Sequence, residues 1–338
     1  MGIRGRYRWA LLAAVPFLAS CGVGDDADRA APPTATTTTT ASVSTTTTAG
    51  EAEPEALLVG ISIHVEGFDD RDPAQYARHL AAVQQVAAEA DAAGITLTFE
   101  LNRSFVDAAL IAGDGWVASL RDHGQAVGVH ADLGGRPLPP RQFTQRLIEH
   151  KRDVEALLGA PVTHVSGVCS EQQWIEPVIE AGFSVATGMV EFCLKSLDTI
   201  PAEYDVARID ACTTPADCHG QAPTDVEHKL HPWRTSTSAD WLTQDPTGDL
   251  WLVAGESGRN VACLAETSEG GCQAASDDVV AFAEIVRDYV DRRVPGRRNT
   301  LALSWSIGSV PPDGFVTDLA GSVAGLPIEW RSVADLTG

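Results

Sequence analysis

Apolar and polar positions follow two distinct patterns from about residue 57 to the end of the chain. Short runs rich in β-branched residues, such as Leu57 to Val65, are typical of buried strands, whereas longer runs with helical periodicity, such as Ala74 to Ala93, predict helices. Gly94 follows that first helix directly, and glycine is the residue that most often ends a helix in the left-handed conformation. The pattern therefore predicts strands and helices in alternation.

The strand pattern and the helix pattern repeat along most of this stretch. Strands are predicted at residues 57–65, 95–99, 126–129, 162–168, 183–186, 250–254 and 300–305, helices at 74–93, 105–123, 141–158, 174–181 and 277–293, a long insertion at about 190–248, a helical piece at 316–323 and an extended piece at 327–331. Such alternation with short apolar strands implies a parallel sheet. The strand count favours an α/β fold of the (β/α)7-8 barrel type, with a disulfide-bearing insertion, over an open sheet.

The start of the chain has a different character. Arginines between Arg4 and Arg8 precede the apolar run Trp9 to Ala19, which is too short to cross a bilayer and is typical of a signal peptide. The run ends in Leu18-Ala19-Ser20-Cys21, which resembles the bacterial lipobox, and this resemblance implies that Cys21 becomes the lipid-bearing N-terminus. An ordinary secretory signal with a chance cysteine is the alternative.

A Thr-rich segment follows Cys21. Residues 22–56 contain two threonine runs and a Pro-Pro pair but almost no large apolar residues, so they cannot bury enough surface to fold. The chain is thus predicted to consist of a signal peptide at 1–20, a lipidated N-terminus and disordered tether at 21–56, and one domain at 57–338. The expected location of that domain is the extracytoplasmic side of a bacterial cell membrane, held by the lipid anchor alone.

Charge restricts the partners of the chain. The sequence has 24 Lys and Arg against 46 Asp and Glu, a formal net charge of −22. Nucleic-acid binding needs a basic surface and is therefore excluded as a function. Electrostatic binding to anionic lipid is disfavoured for the same reason. A neutral substrate or ligand, such as a glycan, is compatible with this charge.

Cysteine usage agrees with export. Beyond Cys21 the chain has six cysteines, an even number that predicts three disulfides in an oxidising compartment. We favour Cys212–Cys218 and Cys263–Cys272, because each pair is close in sequence within a loop, and this leaves Cys169–Cys193. A zinc site built on these cysteines is the disfavoured alternative, since the chain has no Cys-x-x-Cys pair.

Charged groups recur where the predicted strands end, which is the edge that carries the chemistry of α/β barrels. His64 and Glu66 end the first strand, two residues apart and so on the same side of it. Glu100 ends the second strand, and His130 and Asp132 end the third. Taken singly, each could serve in a rim ion pair or a loop cap.

One stretch resembles a known family. Residues 122–135, Asp-His-Gly-Gln-Ala-Val-Gly-Val-His-Ala-Asp-Leu-Gly-Gly, are similar to the second motif of the polysaccharide deacetylase (NodB-like) family, whose metal-binding histidine falls on His130. The runs 158–162 and 179–183 are similar to two of the family's connecting turns. The resemblance implies a deacetylase-like barrel and a metal-dependent hydrolase.

The family's metal site is nevertheless not intact. Gly134 stands where a second histidine is usual, His64-Val65-Glu66-Gly67 replaces the adjacent carboxylates of the first strand, and 165–169 lacks the arginine of the third motif. We therefore predict a substitute site in which His64 and His130 bind a divalent metal, with zinc the first candidate.

The remaining candidates complete a hypothesis of function. Glu66 or Asp132 would be the base, Glu100 a further acid or base, and Trp233 and Trp241 in the insertion would stack on sugar rings. The predicted activity is metal-assisted hydrolysis of an N- or O-acetyl group on a glycan. Two alternatives remain open: a glycan-binding lipoprotein without catalysis, and a glycosidase that uses paired carboxylates such as Glu66 and Glu100.

Overall fold

The computed structural model describes residues 55–113, 115–133, 138–265, 273–308 and 310–338. The predicted signal peptide, Cys21 and all but the last two residues of the predicted tether lie outside the described residues, as do Gly134 and Cys272. No helix in the described ranges is long and apolar enough to cross a membrane.

Strands and helices alternate along the first half of the domain and again near its end. The strands are β1 Leu57–Val65, β2 Thr98–Leu101, β3 Ala126–His130, β4 His164–Ser166, β5 Val185–Ala186, β6 Trp233–Thr235, β7 Leu250–Leu252, β8 Glu256–Asn260, β9 Thr300–Ser306 and β10 Ile328–Trp330. The α-helices are α1 Pro73–Ala93, α2 Arg103–Ala112, α3 Trp116–Asp122, α4 Pro140–Leu158, α5 Ile175–Glu180, α6 Val206–Ala211, α7 Val226–Leu230, α8 Ser276–Asp291 and α9 Phe315–Ser322.

All ten strands belong to one sheet, in the order β6-β7-β5-β4-β3-β2-β1-β9-β8, with β10 added to the start of β1. Every pairing is parallel except that of β6 with β7. Only residues 253–255 separate β7 from β8, although β7 pairs with β5 and β8 pairs with β9 on the far side of the order. The sheet must therefore curve back on itself, which confirms the predicted α/β barrel-type fold as an incompletely closed barrel.

The turn that joins β7 to β8 depends on a glycine. Gly255 has a φ of +52°, and a Cβ atom there would collide with the backbone of Ala302 on β9. Only a residue without a side chain lets the chain cross this closely from one end of the sheet to the other. The central strand β1 shows how the core is filled, because Ile61 and Ile63 on one face and Ser62 on the other are all essentially inaccessible to solvent. Burial on both faces is what a parallel sheet covered by helices requires.

The structure departs from the predicted elements in several places, among them strand β6 and helices α6 and α7, which lie inside the predicted insertion. The predicted helix 105–123 is two helices, α2 and α3, because Gly113 and Gly115 both adopt a positive φ and interrupt the helical backbone. Strand β8 was not expected, since Glu-Ser-Gly-Arg-Asn has neither apolar alternation nor β-branched residues.

Two of the predicted disulfides are confirmed. Cys169 is bonded to Cys193, with a Cα–Cα distance of 4.7 Å, and Cys212 is bonded to Cys218, with a Cα–Cα distance of 6.0 Å. The second bond lies in the predicted insertion. Cys263 is also disulfide-bonded, while its predicted partner Cys272 lies outside the described residues.

Candidate active site

The site forms where the carboxyl ends of five neighbouring strands meet. In the sheet register His64 on β1 stands beside Glu100 on β2 and Ser306 on β9, and His130 on β3 stands beside Ser166 on β4. Parallel neighbours lie about 4.8 Å apart, so side chains at these paired positions on the inner face come into contact. The register alone therefore gathers two imidazoles and a carboxylate at one edge of the sheet.

Two stacked imidazole rings form the centre of the site. The ring centroids of His64 and His130 are 4.3 Å apart, with an interplanar angle of 23°. At their outer edge, Glu66 places Oε2 3.2 Å from His130 Nε2 and Oε1 3.8 Å from His64 Nδ1. At their inner edge, Glu100 Oε2 lies 3.1 Å from His64 Nε2 and 3.9 Å from His130 Nδ1. The two rings are thus held between two carboxylates.

The inner carboxylate is fully buried and accepts hydrogen bonds from two hydroxyl groups. Ser166 donates to Glu100 Oε2, and Thr187 donates to Oε1 at 3.4 Å. His164 Nε2 lies 3.0 Å from the Thr187 hydroxyl and 3.3 Å from Glu100 Oε1. A buried carboxylate is stable only when it is paired in this way, since its desolvation is costly.

Two glycines make room for this arrangement. A Cβ atom on Gly128 would lie 2.7 Å from His164 Nδ1 and 3.3 Å from Glu100 Cγ. Gly167 has a φ of +66°, and a Cβ atom there would lie 2.7 Å from the backbone nitrogen of Asp132 and 3.1 Å from His130 Cε1. Glycine at both positions lets the polar side chains approach the backbone of the neighbouring strand.

The outer pair carries opposite charges. Burial by itself would raise the pKa of Glu66, but the hydrogen bond with His130 and the charges of His130 and His64 outweigh it and hold this pKa well below its usual range. Burial also lowers the pKa of His130, but the hydrogen bond with Glu66 and the charges of Glu66 and Glu100 raise it to about 9. Without a metal, a proton therefore occupies the position between His130 and Glu66.

The inner carboxylate is also ionised. Burial would raise the pKa of Glu100, but the neighbouring His164 and His64 lower it to about 2. Burial in turn lowers the pKa of His164 despite the nearby negative charge of Glu100. Glu100 is therefore an anion at neutral pH, with its charge compensated by hydroxyl hydrogens and imidazoles.

The same groups fit a divalent ion. His64, Glu100 and His130 each offer one ligand atom, and these atoms all lie within 4.8 Å of one another. His64 Nε2 is buried, and among the described residues it has no hydrogen bond of acceptable geometry, although Glu100 Oε2 is close. Imidazole nitrogens with carboxylate oxygens are the donor set of catalytic zinc sites. An ion at this inner edge would satisfy the unpartnered His64 Nε2, and the outer edge offers a second position, where His130 Nε2 and His64 Nδ1 both face Glu66.

Asp132 is placed differently from the other predicted site residues. It follows β3, its side chain is exposed, and its φ of +47° is in the region that residues other than glycine rarely adopt. It acts on His130 through its charge. Glu66 is about one quarter exposed, so it is the carboxylate of the central cluster that is open to solvent.

The predicted role of two tryptophans needs correction. Trp233 and Trp241 are 2% and 0% exposed, so neither offers a ring face to a sugar. The Trp233 indole donates to the carbonyl of Trp241 at 2.7 Å, and the Trp241 indole donates to the carbonyl of Cys193 at 3.3 Å. The two rings stack on each other at 6.4 Å. They form a core for the insertion, which sequence composition had suggested was surface.

Sequence reasoning did not assign Ser166, Thr187, His164 or Ser306 to the site. His164 and Ser166 were recognisable only as polar residues at a strand end, and Thr187 and Ser306 as ordinary residues after strands. Ser306 contributes a hydrogen bond to Glu66. Pairing β3 with β4 in register would have been the signal for Ser166, because it sets that residue beside His130.

A cleft of about 880 Å³ lies between the segment after β1 and helix α2. Its walls include the aromatic rings of Phe68 and Tyr76 and the guanidinium of Arg103. Asp70 also lines it, and accepts hydrogen bonds from Ser104 at 3.1 Å and His79 at 2.9 Å. The site residues themselves do not line this cleft, and its link to them is Phe68, which follows Glu66 by two residues.

Neither a protein-family model nor a curated protein matches this sequence. Solved structures do match. A protein of Mycobacterium smegmatis described as a polysaccharide deacetylase is 12% identical, with a TM-score of 0.50, over 85% of this chain and 91% of that chain. One of Pseudomonas aeruginosa PAO1, also described as a polysaccharide deacetylase, is 8% identical, with a TM-score of 0.51, over 83% of this chain and 89% of that chain.

A third solved structure, Puue allantoinase, is 10% identical, with a TM-score of 0.53, over 83% of this chain and 88% of that chain. At identities this low the likeness extends to the fold and not to the activity. The chain is therefore similar in fold, over most of its length, to proteins described as polysaccharide deacetylases and to an allantoinase.

Proposed function

We propose that this protein is a divergent carbohydrate deacetylase that hydrolyses an N- or O-acetyl group of a glycan with the help of a divalent metal, zinc first. The observation that carries the proposal is the stacked pair His64 and His130 held between Glu66 and Glu100 at the carboxyl ends of the strands. That edge is where α/β barrels place their chemistry. The fold shared with proteins described as polysaccharide deacetylases supports the choice of substrate.

His64 and His130 would hold the ion together with one of the two carboxylates. A bound divalent ion would supply a polarised acetyl carbonyl and a water molecule of lowered pKa. Glu66 is open to solvent and in contact with both imidazoles. With the ion in place of the proton that Glu66 shares with His130, Glu66 would orient the attacking water and accept its proton, unless it is itself a ligand. Asp132 is a further exposed carboxylate beside His130 that could accept this proton.

Glu100 is unsuited to the role of acid or base. A general acid needs a raised pKa and access to the substrate, whereas the pKa of Glu100 is lowered to about 2 and its side chain is fully buried. Both of its oxygens already accept hydrogen bonds from Ser166 and Thr187. Together with the lowered pKa of Glu66, these facts also count against a glycosidase that pairs Glu66 with Glu100, since neither residue is suited to act as the acid.

We place the sugar in the cleft lined by Phe68 rather than on the insertion. Phe68, which is partly exposed, offers aromatic surface, and Arg103 and Asp107 offer polar groups at the edge of the cleft. Aromatic surface with a few polar groups is typical of small-ligand sites. Part of the same proposal is that the domain works outside the cell, attached to the membrane through Cys21.

The proposal can be tested with purified protein, by metal analysis and by acetate release from N-acetylated and O-acetylated oligosaccharides. We expect the wild type to bind one equivalent of zinc and to release acetate. His130→Ala should lose both. His123→Ala, which removes an exposed histidine, is the matched control and should lose neither.

Glu66→Gln distinguishes two roles of that residue. If Glu66 is the base, the variant keeps its zinc and loses roughly 10²–10⁴-fold in rate. If it is a ligand, zinc and activity are lost together. Glu149→Gln, on the exposed face of α4, is the control. Acetate release by the His130→Ala variant would contradict the proposal. If the wild type binds the oligosaccharide without releasing acetate, the glycan-binding alternative is favoured.

A further inference from the structure

Ser166 stands between two groups that cannot both receive its hydrogen. Its hydroxyl donates to Glu100 Oε2, and His130 Nδ1 lies 2.8 Å from the hydroxyl oxygen of Ser166. The two Glu100 oxygens are surrounded by possible donors, the hydroxyls of Ser166 and Thr187 and the ring nitrogens of His64 and His164. This carboxylate therefore acts as the acceptor, and the single hydroxyl hydrogen of Ser166 points to it. The oxygen of Ser166 can then only accept a hydrogen bond from His130. His130 Nδ1 must therefore carry a hydrogen and donate it to Ser166.

The hydrogen on Nδ1 of His130 determines the state of the other ring nitrogen, Nε2. With its hydrogen on Nδ1, a neutral His130 has a bare Nε2 atom. That atom faces Glu66 Oε2 at 3.2 Å, and two acceptors this close repel each other unless a cation lies between them. A proton or a metal ion satisfies the arrangement equally well in chemical terms.

We propose that Ser166 is a positioning residue: with Glu100 behind it, Ser166 holds the hydrogen of His130 on Nδ1 and presents the bare Nε2 atom toward Glu66 as the ligand atom. The assignment of the hydrogen stands on the contacts of His130, whereas the binding of an ion at Nε2 rests on the proposed function. Ser166 touches neither the substrate nor the ion in this role.

The second hydroxyl bound to Glu100 repeats the pattern. Thr187 donates to Glu100 Oε1 and therefore accepts from His164 Nε2, at 3.0 Å. His164 Nδ1 is then the bare atom, and it is buried without a partner among the described residues. The buried Glu100 carboxylate thus orients two imidazole rings, each through one hydroxyl group. Of the two, only His130 faces the open edge of the site.

Hydrogen bonds behind a metal-binding histidine have a known effect. They fix its tautomer and ring orientation, and their loss typically costs 10–100-fold in metal affinity. Most such partners are carboxylates, carbonyls or waters in direct contact with the ring. Here the carboxylate of Glu100 acts on His130 through the hydroxyl of Ser166. The interaction can therefore be removed by substituting Ser166 while Glu100 and His130 stay in place.

The test is a long-range ¹H–¹⁵N NMR spectrum of the full chain labelled in its histidines, recorded with zinc and, at alkaline pH, without it. The His130 signals are assigned by their absence from His130→Asn. We expect the hydrogen on Nδ1 in both spectra and the metal shift on Nε2. A hydrogen on Nε2 in the wild type would overturn the proposal without any Ser166 variant.

Variants then separate positioning from packing. Ser166→Ala should lower zinc affinity 10–100-fold and give a mixture of His130 tautomers, and Ser166→Thr, which keeps a hydroxyl, should restore both. Ser62→Ala is the matched control, because Ser62 is equally buried in β1 and bonds only a backbone carbonyl. Unchanged affinity and tautomer in Ser166→Ala refute the proposal. If the wild type fails to bind zinc but keeps the hydrogen on Nδ1, the proposed function fails and the assignment of the hydrogen stands.

Discussion

Gly128 is the residue on which the interior of the site most directly depends. It lies beside Glu100 in the register of β2 and β3, and it leaves the space that the His164 ring fills. Gly128→Ala should destabilise the fold by about 1–3 kcal/mol, because the new methyl group must displace His164 or Glu100 in a packed interior. Chemical denaturation measures this loss.

The control for this substitution is Gly321→Ala in helix α9. No heavy atom would lie within 4 Å of the added methyl group, and alanine favours the helix, so stability should be unchanged or rise by up to about 1 kcal/mol. Equal stability of Gly128→Ala and wild type would show that His164 and Glu100 can yield without cost.

His150 should make stability depend on pH. It is buried in α4, and burial, together with the charges of Arg103 and His130, lowers its pKa to about 4. The unfolded chain takes up this proton near pH 6.5, well before the folded chain does, so stability is lost as pH falls from about 6.5 to about 4. The full loss is about 3 kcal/mol for this group.

Unfolding of wild type and His150→Gln between pH 4 and pH 8 isolates that contribution. The variant lacks the titrating group, so its stability should decline less steeply between pH 6.5 and pH 4. Identical slopes for the two proteins would mean that His150 does not resist protonation in the folded state.

At the residue scale, prediction from sequence succeeds for residue types that are uncommon at strand ends and fails for residue types that are common there. His64, Glu66 and His130 could be proposed because charged groups at strand ends are conspicuous. Ser166 and Thr187 are ordinary residue types, and only the strand pairing gives them a role. Indole rings have no sequence signal that separates a sugar platform from a core, so Trp233 could not be assigned correctly.

Among the elements, the loop after β4 is tied down by a disulfide. Cys169, three residues beyond Ser166, is bonded to Cys193 across 24 residues, whereas the bond from Cys212 to Cys218 spans 6. Loop-closure entropy grows with the length enclosed, so the longer loop should contribute about 1 kcal/mol more, within a typical total of about 2–4 kcal/mol.

The paired variants Cys169→Ser/Cys193→Ser and Cys212→Ser/Cys218→Ser compare the two bonds directly. All four sulfur positions are buried, so the cost of placing serine hydroxyls is similar in both variants. Denaturant unfolding should show the larger loss for the first variant. A larger loss for the second would mean that native-state packing, not loop closure, dominates.

Element prediction was governed by how long and how apolar each segment is. Strand β1 was predicted with the bounds that it has, and helix α4 to within one residue, because nine and nineteen residues give a clear period. Strands β4 and β5 are three and two residues long, so the predicted runs overshot them. Strand β8 has no apolar pattern, and the closure of the barrel holds it in the sheet.

On the scale of the whole molecule, the fold positions the site but does not select its chemistry. The parallel order around β1 brings the ends of β1 to β4 to one rim, and the same fold is found in proteins described as polysaccharide deacetylases and in an allantoinase. Function must therefore be argued from His64, Glu66 and His130 and tested on them. The barrel class was predictable from strand–helix alternation, whereas the path of 253–255 across the sheet was not.

Attachment of the whole molecule to the membrane is predicted to depend on one atom, the sulfur of Cys21. The net charge of −22 offers no attraction to anionic lipid, so acyl chains, at about 0.8 kcal/mol per buried methylene, would have to supply the affinity. Cys21→Ser should therefore block lipidation and the processing that depends on it, as measured by fatty-acid labelling and by the mass of the chain. Ser20→Ala keeps a small residue before the cysteine and should leave both unchanged. A Cys21→Ser protein that is processed normally and still sediments with membranes would show that the domain is held there by something other than lipid.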